Sequence, residues 1–424
     1  MRLPEAFRAF RSANYRLFFF GQSLSLIGTW MQQVALGWLV YRLTGSAFSL
    51  GLVGFLGQIP VFLLALLGGV LSDRFDRRKI LFVSQGLAML QALCLALLVL
   101  FGKASMGWIL PLTLMLGVAN ALDIPTRQAF VVQMVDQPKD LGNAIALNSL
   151  TFNMARLIGP PIAGWFIASF GEGWCFLLNA LSYTAVIGSL MMMRVPKSIR
   201  RARPTPLLKA LQEGFSYTFS TLPLRVVMLY LALTSLVGVP FMTLAPVFAK
   251  DIFHGGPHTL GVLMAASGAG AFVGGLYLAS RKSVLGLTGH IQASGLLFGF
   301  ALFGYALSGT MGLALVFLIG TGFGMIVQMA ASNTLLQTIV EEDKRGRVMS
   351  LYAMSFMGVI PFGSLLAGAS AARFGAPTTV LMGSVGAFLG AGWFATKLPR
   401  VRASLDQLYR DKGFLGPKGK EEPA

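Results

Sequence analysis

Residues 142–171, GNAIALNSLTFNMARLIGPPIAGWFIASFG, decide the architecture once residues 346–375, GRVMSLYAMSFMGVIPFGSLLAGASAARFG, are laid beneath them. At a constant offset of 204 residues, Gly142 pairs with Gly346, Leu147 with Leu351 and Gly159 with Gly363. Ala163-Gly164 pairs with Ala367-Gly368, and Phe170-Gly171 with Phe374-Gly375. Upstream, at nearly the same offset, Gly68-Gly69 pairs with Gly274-Gly275 and Gly117 with Gly322. The second half of the chain repeats the first. A duplicated array of apolar helices with a seam between the copies is a recurring plan of secondary transporters.

The rest of the chain extends this reading. Of its 424 residues 55% are hydrophobic and only 12% charged, against about a quarter charged in soluble domains. Apolar runs of about 20 residues, enough to cross a hydrocarbon core about 30 Å thick, recur along the whole length. They fall near 17–41, 49–71, 80–101, 108–134, 143–169, 174–193, 226–249, 259–279, 286–308, 311–339, 348–372 and 376–396. The expected fold is therefore an all-α membrane protein with twelve transmembrane helices in two pseudo-symmetric six-helix bundles. Residues 1–193 form the first bundle and 225–396 the second, joined by a basic linker at 194–224 and followed by a tail at 397–424. The 50 glycines suit the close approach of helices in lipid. Short connections leave no room for an extramembrane catalytic domain.

The net charge of +18 raises the question of a polyanionic partner. Its placement answers against nucleic acid. With the N-terminus in the cytoplasm, nearly all of the 34 Lys and Arg residues fall on the cytoplasmic side. The exceptions are Arg42, Lys103, Lys250 and Arg373 in outer loops and Arg127 and Arg156 inside spans. That is the positive-inside bias, and it puts both termini in the cytoplasm. The opening MRLPEAFRAFRSANYRLFFF has the cationic start of a signal peptide, but a span-length apolar run and no small-residue cleavage site follow, so it reads as the first helix with its anchor. Cys94 and Cys175 lie on different spans and are not expected to bridge.

The linker carries Arg194, Lys197, Arg200, Arg201, Arg203 and Lys209 with prolines at 196, 204 and 206. Its later residues Leu207, Leu208, Leu211, Phe215 and Phe219 have helical spacing. They suit either a helix lying on anionic lipid or a plain tether. The tail from Lys397, polar and interrupted by glycine and proline, is expected to be mostly disordered.

Three formal charges fall well inside the spans: Asp123, Arg127 and Arg156. Asp123 and Arg127 are four apart and share a helix face; Arg156 lies on the next span, also near mid-membrane. A lone ion there costs several kcal/mol, so such groups pair or face a water-filled cavity. Three readings stand: a structural cluster bracing the fourth and fifth helices, a site whose surplus positive charge attracts an anionic substrate, or a proton carrier at Asp123. Neighbouring cations stabilise the charged carboxylate, which weighs against the last. Polar faces adjoin the cluster: Gln22, Ser25, Thr29 and Gln33 on the first span beside Trp30 and Gln32, Asn120 on the fourth, Asn148 and Asn153 on the fifth, and Gln328 and Ser332 on the tenth. In the second half Phe241, Met242, Met325, Met329, Tyr352 and Phe356 offer an adaptable apolar lining. With three histidines and no cluster of metal-ligating residues or nucleophile–base pattern, neither enzyme, metal nor cofactor is expected.

Between the second and third spans stands Gly69-Val-Leu-Ser-Asp73-Arg74-Phe-Asp76-Arg77-Arg78-Lys79. This stretch resembles the signature loop of the major facilitator superfamily, and with the spans and the duplication the resemblance covers essentially the whole chain. It implies that Gly69, Asp73, Arg74, Arg77, Arg78 and Lys79 form a cytoplasmic gate, with Asp73 against the start of the helix beginning near Arg347. A helix N-terminus offers free N–H groups to an anion, which fits. It also implies a central cavity among the first, fourth, seventh and tenth spans, which selects Gln22, Thr29, Gln33, Asn120 and Gln328 as substrate contacts. Asp76 departs from the family's usual glycine. The equivalent loop Gly275-Leu-Tyr-Leu-Ala279-Ser280-Arg281-Lys282 lacks the acid. By pseudo-symmetry, Arg77, Arg78 and Lys79 are expected to face Glu341, Glu342 and Asp343, and Arg281 and Lys282 to face Asp136 and Asp140, when the inner side is shut.

Arg156-Leu-Ile-Gly159-Pro160-Pro161-Ile-Ala163-Gly164 resembles the Gly-Pro segment of exporter members, and Asp-x-Pro-x-Arg-Gln at 123–128 adds to the likeness. Together they look most like the bacterial branch containing the enterobactin exporter and macrolide efflux pumps. The resemblance implies a monomeric transporter of a bacterial inner (plasma) membrane, in contact with membrane lipids, that exports a small siderophore- or drug-like molecule by alternating access and proton antiport. A lipid or lysolipid flippase on the same fold and a non-transporting receptor or scaffold are the competing expectations.

Overall fold

Helices make up nearly all of this computed structural model, which describes residues 5–194, 207–281, 283–342 and 344–411. In the first half α1 (Ala13–Thr44), α2 (Ala47–Arg74), α3 (Arg77–Leu100), α4 (Met106–Met134), α5 (Leu141–Phe170) and α6 (Glu172–Met192) follow one another through short connections. The connector contributes α7 (Leu207–Ser220). The second half comprises α8 (Leu222–Val237), α9 (the single turn Ala245–Val247), α10 (Pro257–Ala279), α11 (Leu287–Ala306), α12 (Met311–Ile339), α13 (Arg345–Phe356), α14 (Ile360–Phe374) and α15 (Ala376–Asp411).

The helix ends follow from local chemistry. α1 stops at Gly45, whose left-handed backbone (φ 59°) returns its N–H to Tyr41 O, and Ser46 then caps α2 by accepting from Ser49 N at 3.3 Å. Asp76, the departure from the family loop, caps α3 by accepting the Arg78 N–H at 2.9 Å. The repeated Phe-Gly pairs do one job twice: Gly171 (φ 87°) ends α5 and Gly375 (φ 84°) ends α14, both in a backbone region that favours glycine.

The packing partners repeat with the sequence. In the first half α2 and α3 pack on α4, α3 and α1 on α6, and α1 on α5. In the second, α10 and α11 pack on α12, α11 and α8 on α15, and α8 on α13 and α14. Across the seam α5 meets α10 and α14 meets α2, again one contact in two copies. Both crossings use glycine. A Cβ on Gly261 would lie 2.5 Å from Pro160 O, and one on Gly51 would lie 2.6 Å from Ser364 O. Helices in lipid have little hydrophobic drive to associate, so backbone-close contacts of this kind hold them.

Ten helical stretches among the described residues are long and apolar enough to cross a membrane. Twelve spans were expected; α1 and α5, at 32 and 30 residues, have the length but not the apolarity. Among their polar side chains Gln22, Asn148 and Ser149 line a cavity and Gln32 bonds to α3 and α6, whereas Thr29, Thr151 and Asn153 return to carbonyls of their own helix. The halves also differ. α5 runs unbroken through Pro160 and Pro161, whereas its counterpart breaks between α13 and α14 ahead of Pro361. After α8 the chain passes through a 3-10 segment (Val239–Leu244), α9 and a π-helical turn (Phe248–Ile252), where Gly238, Pro240 and Pro246 disturb regular helix.

One expectation is corrected. The segment from Lys397 is not structureless at its start: α15 continues to Asp411, because Val401, Leu405 and Tyr409 at helical spacing are buried against the second-half core. The helix α8 starts at Leu222, directly after α7, which packs on α8 and on the first turn of α13. There Arg347 Nη1 donates to Glu213 Oε2 at 2.6 Å and Lys344 Nζ lies 4.5 Å above the Tyr217 ring. The basic linker residues Lys197, Arg200, Arg201 and Arg203, the loop residues Lys282 and Asp343, and the tail beyond 411 lie outside the described residues. Both cysteines are free.

Candidate functional site

A cavity of about 350 Å³ opens between α1, α4 and α5, with Met357, from the break between α13 and α14, as its wall from the second half. α1 contributes Phe18, Phe19, Gln22 and Leu26; α4 contributes Arg127, Gln128 and Val131; α5 contributes Asn148, Ser149 and Phe152. The exposed wall is mostly apolar and aromatic, with Gln22, Arg127, Gln128, Asn148 and Ser149 among its polar groups, a make-up that suits a small-molecule site. Gln22 is buried, and its side-chain oxygen has no hydrogen-bond partner. Thr29 and Gln33 are exposed and lie on the same α1 stripe as Gln22 and Leu26, at helical spacing.

The halves join beyond one end of this cavity. Gly37 lies against Pro246, Tyr41 Oη donates to Asp251 Oδ2, and Lys250 Nζ sits 5.4 Å over the Tyr41 ring. All three contacts link α1 to the segment around α9. Just beside them Arg42 Nε donates to Glu172 Oε1 at 2.7 Å within the first half.

Of the three intramembrane charges, Asp123 and Arg127 pair with each other, and Arg156 makes neither of their contacts. Asp123 is buried and pairs with Arg127 Nη2 one turn along α4. Its other oxygen accepts from Gln85 Nε2 at 2.7 Å and Ser84 Oγ at 3.2 Å, both on α3. The carboxylate therefore braces α3 and α4, because α4 lies along α3 and not along α5. Arg127 faces the cavity with a quarter of its side chain exposed.

Arg156 stands apart. It is 6% exposed, and among the described residues it makes no ion pair. Its Nη2 lies 3.9 Å from the Met242 thioether sulfur, its guanidinium carbon is 5.9 Å from the Trp30 ring centre, and its Nε has no hydrogen-bond partner. Trp30 packs edge-on against Phe152 at 5.8 Å, so an aromatic pair separates the guanidinium from the cavity.

The other expected contacts sit elsewhere. Gln328 is buried and donates to Thr234 Oγ1 at 3.1 Å, tying α12 to α8, and does not line the cavity. Asn120 is half-buried on α4, outside the lining. Phe241 and Met242 border a narrow cleft between α10, α11 and α12, while Tyr352 Oη donates to Met329 O at 3.0 Å. Gln32 joins a buried amide chain, donating to Gln91 Oε1 at 2.9 Å and accepting from Asn179 Nδ2 at 2.8 Å, which ties α1 to α3 and α6. Phe18, Phe19, Gln128 and Met357 were not anticipated as lining. The span-sized apolar pattern hid Phe18, Phe19 and Met357, although Phe18 and Gln22 share the i, i+4 spacing of one helix face, and Gln128 stood in view only as part of the 123–128 motif.

In the signature loop Gly69 has open space around it, and Arg74 and Lys79 are exposed. Arg77 donates to Ser72 O at 3.1 Å and to Ala129 O at 3.0 Å, and Arg78 to Met191 O at 2.8 Å. These carbonyls all belong to the first half. The Asp73 side chain lies outside the described residues. In the second half Arg281 donates to Leu285 O at 3.1 Å and lies 2.6 Å from His290 Nε2, and Glu341 pairs with Lys344 at 2.6 Å, while in the first Asp140 pairs with Arg8 at 3.3 Å. In this conformation Arg78, Arg281, Asp140 and Glu341 are engaged within their own halves.

A family model described as transmembrane secretion effector matches residues 5–417. The chain is 27% identical to the staphyloferrin A transporter of Staphylococcus aureus over 85% of its own length and 90% of that protein. It is 24% identical to macrolide efflux protein A of Streptococcus pyogenes over 85% of its length and 91% of the relative. Among solved structures, the bacterial homolog of the human lysosomal transporter Spinster, in its inward-facing and unoccupied conformation, superposes with a TM-score of 0.72 at 16% identity. That match covers 93% of this chain and 98% of the other and concerns the fold.

Proposed function

The chain belongs to the transmembrane secretion effector family of the major facilitator superfamily, a family of transporters and not of enzymes, and from this premise we propose an exporter of small siderophore- or drug-like organic molecules. It sits in a bacterial inner membrane as a monomer among lipids, with both termini in the cytoplasm. Its two six-helix bundles are α1 to α6, and then α8 with the segment to Ile252, α10, α11, α12, α13 with α14, and α15. They rock about the glycine crossings of α5 with α10 and α2 with α14, exposing the cavity to one side at a time.

One observation carries this reading: the cavity lies beside the seam, and the halves are clasped at the Tyr41–Asp251 end. Under the positive-inside orientation that end is the outer one. The cavity then faces the cytoplasm, where an exporter loads. Gln22, Thr29, Gln33 and Arg127 meet the cargo, and Phe18, Phe19, Phe152 and Met357 take up its apolar part. Opening outward brings Arg77, Arg78 and Lys79 toward Glu341 and Glu342, and Arg281 toward Asp136 and Asp140. Several exposed ion pairs of about 0–1 kcal/mol each suffice to bias two states a few kcal/mol apart.

Proton exchange supplies the drive, with Asp123 as carrier. Proton and cargo exclude each other: cargo loading beside Arg127 holds the guanidinium against Asp123, so the carboxylate gives up its proton to the cytoplasm, and once the cargo has left on the outer side the emptied site takes up another. The test is uptake of a catecholate siderophore and of a macrolide into energised inverted vesicles. Accumulation that a protonophore abolishes is expected. Flux indifferent to the protonophore overturns antiport, and absence of flux for both cargoes, with lysolipid moved instead, replaces export with flipping.

A further inference from the structure

We infer that Arg156 is the anchor for an anionic group on the exported molecule, at a subsite built across the seam between the two halves. The inference deepens the export reading and rests on it. A guanidinium 6% exposed, without an ion-pair partner among the described residues and with an unsatisfied Nε, is an expensive arrangement in the middle of a membrane. Unlike Asp123 and Arg127, which satisfy each other, it meets an aromatic ring and a thioether but no carboxylate among the described residues.

Its surroundings come from both halves. Trp30 lies on one side, from α1. Met242 lies on the other, from the 3-10 segment after α8, and α10 crosses so tightly that a Cβ on Gly268 would stand 2.9 Å from Arg156 O. Met242 also borders the narrow cleft that Ser267 and Tyr305 line. The hydroxyls of those two residues are buried and have no hydrogen-bond partner. One unpaired cation and two unused hydroxyls thus flank one flexible methionine. A thioether side chain reorients easily, and its swing would let anionic oxygens reach all three. The Trp30–Phe152 pair, whose Phe152 lines the main cavity, would cover the organic part. The ligand class is therefore an organic anion, a carboxylate or catecholate carrying an apolar or aromatic body. Bound there, it would hold the halves together through its charge.

The test uses the purified full chain in detergent and a matched pair of probes, 1-naphthoate and its neutral isostere 1-naphthamide, with equilibrium binding read by calorimetry. Wild type is expected to bind the carboxylate about tenfold more tightly than the amide, the scale of a charge-assisted hydrogen bond. Arg156→Gln is expected to abolish the preference and leave amide binding unchanged. Ser267→Ala and Tyr305→Phe each reduce the preference without altering charge, and they decide the matter if Arg156→Gln fails to fold. A preference that survives in Arg156→Gln, or in both hydroxyl variants should that protein not fold, overturns the proposal, as does equal binding of the two probes by wild type. Vesicle flux separates this outcome from the export reading. Energised export that ignores Arg156→Gln sinks the anchor alone, whereas an intact binding preference without any flux sinks export and leaves the anchor standing.

Discussion

Gly164 on α5 and Gly261 on α10 touch through their backbones: a Cβ built on Gly164 would lie 3.3 Å from Gly261 Cα and 2.8 Å from Pro257 O. Gly368 on α14 and Gly51 on α2 repeat the contact at 2.8 Å. A larger residue must push the halves apart. Gly164→Val or Gly51→Val is expected to destabilise the clasped conformation by about 1–3 kcal/mol, the usual cost of overpacking. Cysteine labelling at Gly37 would rise in the variants. Unchanged labelling would mean that these glycines do not set the distance between the halves.

Asp123 holds three partners on two helices. Removing the carboxylate with Asp123→Ala leaves Arg127 uncompensated in a site where it is only a quarter exposed. The expected cost is about 2–4 kcal/mol, read as a lower Tm. Asp123→Asn/Arg127→Gln is expected to recover most of that stability yet not the protonophore-sensitive flux. Recovery of both would show the pair to be a brace and nothing more.

Tyr41 and Asp251 clasp the halves from α1 to the π-helical turn. A hydrogen bond to a charged group contributes about 1.5–3 kcal/mol. Tyr41→Phe and Asp251→Asn are each expected to shift the population toward the state open at that end, by about tenfold or more. Accessibility of a cysteine at Phe241 to a membrane-impermeant reagent would report the shift. The two variants should not add when combined, because they break the same bond.

Arg156 makes the opposite prediction for stability. Replacing a buried, uncompensated charge with a well-packed apolar side chain is often neutral or stabilising, by about 1–4 kcal/mol. Arg156→Met is therefore expected to raise Tm while lowering transport of anionic cargo, a trade of function for stability. A fall in Tm would instead give this residue a structural task.

The fold was readable because its signals run along the chain. Phe170-Gly171 and Phe374-Gly375 announced two equivalent helix ends, and both end their helices with a left-handed glycine. Gly164 and Gly368 announced equivalent crossings, and both meet a glycine of the opposite half. Asp76 was visible as a departure, and its consequence is a helix cap. Val401, Leu405 and Tyr409 were overlooked because the polar residues between them dominate the composition, although their spacing marks one buried face.

The site was less readable. Gln22 and Arg127 were found because polarity inside an apolar run is conspicuous, and Met357 and Phe19 were missed because an apolar lining residue looks like any other. Which partner Asp123 takes, and that Arg156 meets no carboxylate among the described residues, depends on how each helix is turned about its own axis and on which helix lies beside it. Hydropathy and repetition are properties of the chain taken in order, so the sequence alone determined the duplicated, membrane-length helices and the glycines at which they cross. Charge pairing joins residues far apart in that order, across α3 and α4 or across the seam. Only the tertiary structure decided it, because packing chooses which polar groups satisfy each other and which are left for a ligand.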